Sequence, residues 1–287
     1  MWRVDLDDQA ALYVVATPIG NLKDMSSRAL DVLQSVDLIA AEDTRHSSVL
    51  MRHFGIDTKT VAYHDYSDNK VVDKLLSLLE EGKSVALISD AGTPLISDPG
   101  YRLVSSVHQH GYRVVPVPGA SAVIAALSAG GLATDRFIFE GFLPAKSVAR
   151  KKVLQACQEE ERTVVFYEAP HRIVDSLADM NEVLGGERLA VLAREITKQF
   201  ETIRRASLAD LLAWVSTDAN QRRGEIVVVL EGAKNLSTDM TPEDRRILQV
   251  LAEDLPAKQA AGLTAKITGQ RKNFLYDYLL SLKKEGG

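Results

Sequence analysis

The first 130 residues alternate mostly apolar runs of four or five residues with segments of helical spacing. Leu12–Ala16, Asp37–Ala41, Val61–His64, Val85–Ser89 and Arg113–Val117 read as strands. Between or after them, Ser26–Ser35, Asn69–Glu81, Gly100–His110 and the small-residue run Ala120–Ala129 read as helices. In Asn69–Glu81 the positions Val71, Val72, Leu75, Leu76 and Leu79 fall on one helical face. A strand that is apolar on both faces must be covered on both. Helical crossovers supply that cover, so the pattern predicts a parallel sheet between helix layers.

Near residue 133 the pattern changes. Phe137–Gly141, Thr163–Tyr167, Leu189–Arg194, Phe200–Arg205 and Glu225–Leu230 read as strands. Lys146–Glu160, Ile173–Leu184 and Leu208–Val215 read as helices. Some strands now adjoin without a helix between them, which predicts a mixed sheet. Residues 241–287 hold helical patterns only. The expected organisation is α/β: residues 1–132 with a parallel sheet, 133–236 with a mixed sheet, and 237–287 as a small helical module.

Composition narrows the class. With 287 residues and 46% hydrophobic content the chain can bury a large core, more naturally in two domains than one. A net charge of −5 makes it no general nucleic-acid binder, so any basic surface must be local. Its single cysteine, Cys157, excludes a disulfide framework, and no histidine set assembles with it, so no metal is expected. A reduced cytoplasm is the expected compartment. The first residues are acidic where a secretion signal would be basic, and no run approaches about 18 apolar residues.

Three loops follow strands of the first domain: "TPIGN" (17–21), "ISDAGTPLISDPG" (88–100) and "VPGASA" (117–122). In an open parallel sheet, ligands bind in the crevice outside the carboxyl ends of the strands. Glycine there lets backbone approach a ligand, and proline stiffens the loop. Neither G-x-x-x-x-G-K-[ST] nor G-x-G-x-x-G is present, so an ordinary P-loop or Rossmann site is not expected. Asp90 and Asp98 are read equally as ligand contacts and as turn caps.

The ordered segments "ATPIGNLKDMSSRAL", "AEDTRHS", "ISDAGTPLISDPG", "VPGASA", "FYEAPHRI" and "AREITKQFE" closely resemble the ribosomal RNA small-subunit methyltransferase I family. That family belongs to the tetrapyrrole-methylase-like (class III) S-adenosylmethionine methyltransferases. The resemblance runs from about Leu12 to Glu231. It implies 2′-O-methylation of a cytidine ribose in the decoding region of 16S rRNA, within the 30S subunit. It also implies a homodimer with S-adenosylmethionine (SAM) held between two α/β domains. Carried over by motif, the cofactor contacts would be Asp90, Ala91, Gly92, Thr93 and Ile96, with Ser121 and Ala122. Pro18 would stand at the cleft edge. Tyr167 and the strand around Glu225–Val227, with Glu225 and Ile226 foremost, would wall the adenosyl group.

Ribose methylation needs an in-line hydroxyl and gains from a proton acceptor. Candidates are Glu42, Asp43, His64 and Glu168. Glu42 and Asp43 are equally read as a pair neutralised by Arg45, and His64 as a surface histidine. Glu168 precedes His171 and Arg172, where it could orient arginine or substrate. Arg172, Arg194 and Lys198 are candidate RNA contacts. The basic run Arg150–Lys152 is read either as a further contact or as paired with "QEEE" (158–161) along its own helix. In the tail, 255–284 carries six basic residues against one acidic, which nominates an RNA-docking module with Arg271 and Lys272. There a short helix over Lys258–Leu263, a turn at Gly262 or Thr264 and a longer helix over Lys272–Leu282 are expected.

Overall fold

Side-chain alternation along the first strand sets the layout of the first sheet. The computed structural model describes residues 10–64, 69–233, 240–268, 270 and 272–285. In it, β1 (Ala11–Val15) turns Ala11, Tyr13 and Val15 to one core and Leu12 to another. The remaining strands are β2 (Leu38–Ala41), β3 (Thr60–Ala62), β4 (Val85–Ile88) and β5 (Arg113–Val117). All pair in parallel, in the order β3-β2-β4-β1-β5. β2 and β4, in the middle, are buried throughout, whereas β3 is mostly exposed. Pro116 is tolerated in β5 because β5 is an edge strand with no further neighbour to serve.

On one face, α1 (Ser27–Ser35) brings Ala29, Val32 and Leu33, and α2 (Thr44–Phe54) brings Met51. On the other, α3 (Asn69–Glu80) brings Val72, Leu75 and Leu79, and α4 (Tyr101–Gln109) brings Leu103 and Val107. The sequence reading assigns no element to α2. Its boundaries are nonetheless encoded: the Asp43 carboxylate accepts from the Arg45 amide at 2.8 Å, and Gly55 ends the helix at φ 64°.

The second sheet is mixed, as expected. It contains β6 (Phe137–Phe142), β7 (Thr163–Glu168), β8 (Leu189–Arg194), β9 (Thr202–Ser207) and β10 (Ile226–Leu230), in the order β6-β7-β10-β8-β9. Only β6 and β7 pair in parallel. One face is covered by α6 (Ser147–Ala156), α7 (Ile173–Leu184) and α8 (Leu208–Thr217). The other receives α5 (Ala122–Gly130), through Val123, Ala126 and Leu127. A Cβ at Gly130 would lie 3.2 Å from Val191 Cγ2, so glycine sets how closely α5 approaches β8. α5 begins in the loop after β5 and ends on the second sheet, joining the two layers through one short helix.

Both sheets belong to one compact unit, residues 1–232; a second covers 233–287. The second contains α9 (Pro242–Asp254), α10 (Ala257–Thr268) and α11 (Lys272–Glu285) around Leu248, Ala260, Ala261, Leu275 and Leu279. Thr241 and Asp244 form a reciprocal cap on α9, with Pro242 in the first turn. α10 runs unbroken through Gly262 and Thr264, where a turn was expected: Thr264 is buried and its carbonyl accepts from Thr268 Oγ1 at 2.8 Å. Among the described residues, no helix is long and apolar enough to cross a membrane.

Candidate active site

β2, β4, β1 and β5 are consecutive in the sheet, so the loops that leave their carboxyl ends lie side by side. Hydrogen bonds tie these loops together. Thr17 and Gly92 form an isolated antiparallel bridge. Thr93 Oγ1 donates to the Ala120 carbonyl at 3.0 Å, and Thr17 Oγ1 to the Ser89 carbonyl at 3.3 Å. The Asp43 amide donates to Asp90 Oδ1 at 3.1 Å, and the Asp90 amide to Glu42 Oε2 at 3.2 Å.

Two isoleucines are presented in the same strained manner. Ile96 stands between Leu95 (φ 73°) and Ser97 (φ 65°), and Ile196 between Glu195 (φ 51°) and Thr197 (φ 69°). Left-handed backbone at a non-glycine residue costs about 1–3 kcal/mol, and such strain clusters at ligand clamps. Both isoleucines line one cavity of about 370 Å³, a ligand-sized volume. The strain therefore falls where both loops face that cavity.

The cavity gathers the cofactor candidates Asp90, Ala91, Gly92, Thr93, Ile96, Ser121, Ala122, Tyr167, Glu225 and Ile226. Pro18 lines an adjoining cavity instead, and Ile19 takes its place in the first wall. Lining residues that the sequence reading did not nominate include Phe142, Ile196 and Gly224, whereas Val227 lines the cavity as expected. Phe142 and Phe139 hold Tyr167 edge-on at 5.4 and 4.8 Å between ring centroids. Burial, ahead of nearby carboxylates, pushes the Tyr167 phenol up to about 12, so it stays protonated.

The cavity's charge is negative on one side. Glu42, Asp90 and Asp98 all line it. Burial foremost, then repulsion from Glu42 and Asp90, raises Asp98 to about 6 against a hydrogen bond from Ser89. Apolar walls facing a carboxylate cluster suit a ligand with an apolar body and a positive charge.

The proton-acceptor candidates fare differently; Glu42 lines the cavity, its carboxylate accepting from the Asp90 amide. Asp43 caps α2 and is gripped by Arg45, with Nη2 to Oδ2 at 2.8 Å; this contact holds its carboxyl well below the usual range. It lies outside the lining of both cavities. His64 sits beyond the edge strand β3 and lines neither cavity. Glu168 does line the cavity, but its carboxylate is 2.8 Å from Arg172 Nη2 and accepts from the Ala169 amide and Ser176 Oγ. With its oxygens committed, Glu168 anchors Arg172 and the start of α7.

The RNA candidates also divide. Arg194 is buried, and its guanidinium donates to Gln221 Oε1 (3.1 Å), the Phe200 carbonyl (2.9 Å), the Arg223 carbonyl (3.4 Å) and Thr202 Oγ1 (3.3 Å). Four of its five N–H groups thus serve internal acceptors, and the residue is buried. Arg150 is buried as well, bound to Asp179, and Lys151 pairs with Glu182, both on α7 rather than "QEEE". Lys198 bridges Glu195 at 2.8 Å and Glu225 at 2.6 Å. Arg172 Nε is buried without a partner among the described residues. Lys272 is exposed at the start of α11, and Arg271 lies outside the described residues.

Two α/β layers joined by α5, with a cavity at the carboxyl ends of adjacent parallel strands, define an α/β protein with a ligand-sized site. Comparison with known proteins specifies the family. The model for Tetrapyrrole (Corrin/Porphyrin) Methylases matches residues 11–212, and that for the RsmI C-terminal HTH domain matches 238–283. Ribosomal RNA small subunit methyltransferase I of Pseudomonas aeruginosa is 58% identical, over 94% of this chain and 96% of its own length. The protein of that name from Escherichia coli O157:H7 is 53% identical, over 96% of each. Among solved structures, uroporphyrin-III-C-methyltransferase from Thermus thermophilus aligns with TM-score 0.54 at 19% identity, covering 78% of this chain and 94% of that one. Cobalt precorrin-4 methyltransferase aligns at 0.57 and 18% identity, covering 77% and 94%; these two likenesses speak to fold alone. The chain belongs to the tetrapyrrole methylase family and, within it, to the ribosomal RNA small subunit methyltransferase I group. It is accordingly a methyltransferase whose methyl donor is SAM.

The cavity fits that donor. Its carboxylates complement the sulfonium and ammonium charges, and Tyr167, Phe142, Ile96 and Ile196 offer apolar walls. Gly92, at φ 83°, keeps the floor low: a Cβ there would stand 3.3 Å from Ile19 Cγ2.

Proposed function

We propose that this protein methylates a cytidine 2′-hydroxyl in the decoding region of 16S rRNA, acting in the cytoplasm as a homodimer on the 30S subunit. The observation that carries the reading is the cavity where four loop segments of the first sheet meet Tyr167 and Glu225–Val227 of the second, in a chain 58% identical to a ribosomal RNA small subunit methyltransferase I. The donor supplies an electrophilic methyl group on a sulfonium. The residues around it bind and orient: Asp90, Asp98 and Glu42 match its positive charge, Ala91–Thr93, Ser121 and Ala122 offer backbone, and Tyr167, Glu225 and Ile226 form the facing wall. Arg172, Lys198, Arg271 and Lys272 would contact RNA phosphates, and residues 237–287 would dock the subunit. Holding reacting groups in line is worth roughly 7–11 kcal/mol in favourable cases, so positioning can carry most of the rate.

The test is transfer of labelled methyl from SAM to undermodified 30S subunits, followed by mapping of ribose methylation. One methylated cytidine in the decoding region is expected. Transfer to a tetrapyrrole or a protein side chain instead, or SAM binding without any transfer, would overturn the reading. Light scattering tests the dimer directly.

A further inference from the structure

The first cavity has a neighbour. A second cavity of about 330 Å³ opens between the "TPIGN" loop and α2, and Ile19, Asp90, Ala91 and Glu225 line both. We propose that this second cavity is the acceptor site, taking one ribonucleotide of the RNA extruded from its neighbours, with its ribose against Asp90. The inference rests on the first cavity holding SAM.

Geometry comes first. Transfer requires the reacting atoms to approach to about 3–3.5 Å in line with nothing between them, so donor and acceptor sites must meet at a common rim. Ile19, Asp90, Ala91 and Glu225, which border both cavities, mark such a rim. The size suits a single nucleotide and excludes a helix, and enzymes that act on a nucleotide within structured nucleic acid commonly extrude it.

The lining has the chemistry of a nucleotide site. Pro18, Leu22 and Val49 give it apolar faces, and the last two are 40% and 67% exposed. His46, exposed on α2, offers a ring of the kind on which extruded bases stack. Lys198 lines the same cavity, and its stem lies directly across Gly20, where any Cβ would overlap it. Its ammonium holds Glu225, leaving Asp90 as the other carboxylate on the shared wall. Asp90 Oδ1 accepts from the Asp43 amide, which orients the carboxylate and leaves Oδ2 for a ribose hydroxyl.

Two experiments on the full-length protein test this. Val49→Trp fills the cavity from an exposed helix position. It should leave SAM affinity within about twofold while slowing methylation of undermodified 30S subunits by about 100-fold, the scale of a misplaced reactant. In the second, Val49→Cys is labelled with a photoactivatable benzophenone maleimide; the native Cys157 is buried and should stay unlabelled. Irradiation with 30S subunits should crosslink the methylated nucleotide or its immediate neighbours. Wild-type rates in a folded Val49→Trp protein, or crosslinks absent or elsewhere in the rRNA, would overturn the acceptor site. Failure of the unsubstituted protein to bind SAM would instead overturn the reading on which it rests.

Discussion

Thr17 and Gly92 each donate an amide hydrogen to the other's carbonyl, at 2.8 and 3.0 Å. This pair fastens the loop after β1 to the loop after β4, and it requires Gly92 at φ 83°. Gly92→Val would place a branched side chain in that conformation and against Ile19. The expected result is a stability loss of about 1–3 kcal/mol and loss of SAM binding in the protein that remains folded. Calorimetry paired with thermal unfolding measures both; normal SAM affinity would remove Gly92 from the cofactor floor.

Asp98 gives the donor site a pH dependence. Its folded value, about 6, lies above the ordinary 3.8, so between the two the folded chain keeps a proton that the unfolded chain has lost. Its stabilising contribution is complete below the ordinary value and is lost as pH rises through about 6. A cationic ligand reverses the preference, because it favours the carboxylate. SAM should therefore bind more tightly from pH 5 to pH 7, releasing a proton, and Asp98→Asn should flatten the profile. Calorimetry in two buffers of different ionisation heat counts the proton. The demethylated product, which lacks the sulfonium, should show the weaker dependence.

Arg194 separates a structural from an RNA-binding arginine. Its guanidinium serves only internal acceptors. Arg194→Ala would leave the buried Gln221 amide oxygen unpaired, at about 1–3 kcal/mol, and would free the part-buried Phe200 and Arg223 carbonyls at a smaller cost. Denaturant unfolding should show a clear drop in midpoint. Binding to 30S subunits, corrected for the folded fraction, should keep its salt dependence; a shallower salt slope would return Arg194 to the RNA surface.

These residues also show what the sequence could disclose. Sheet strands were legible because β2, β4 and β10 are apolar at nearly every position, as burial on both faces demands. The ligand loops were legible because Gly92 and the prolines around it are costly anywhere else. α2 was not, since its apolar positions are few and its signals are the single residues Asp43 and Gly55 at its ends. Ile196 stood inside the segment "AREITKQFE" but was not nominated for the cavity: its place there depends on left-handed backbone at Glu195 and Thr197, which no sequence period records. Nor could charge alone distinguish Arg194 from Arg172, because burial is set by Gln221 and the β8–β9 connection, far apart in the chain. The buried pair of Arg150 with Asp179 likewise spans two helices.

The helical unit carries the last prediction. Lys258, Gly262 and Lys266 recur every fourth residue of α10 and so share one face. Lys272 crosses that face at the glycine, where a Cβ would be 3.6 Å from its Cε. The three lysines line one open concavity of about 710 Å³. Nothing hydrophobic requires them to converge: the unit's core of Leu248, Ala260, Ala261, Leu275 and Leu279 involves none of them. Like charges gathered around a hollow repel one another unless an anion joins them, and RNA phosphates are the anions this protein's proposed acceptor supplies. Replacing Lys258, Lys266 and Lys272 by alanine should make the dependence of log affinity on log salt shallower by about 2–3, at roughly 0.7–0.9 per phosphate contact. SAM affinity should not change. Titration of labelled 30S subunits at several salt concentrations measures the slope. An unchanged slope would make the three lysines a solvated face, and the unit's docking role would then have to lie elsewhere on its surface.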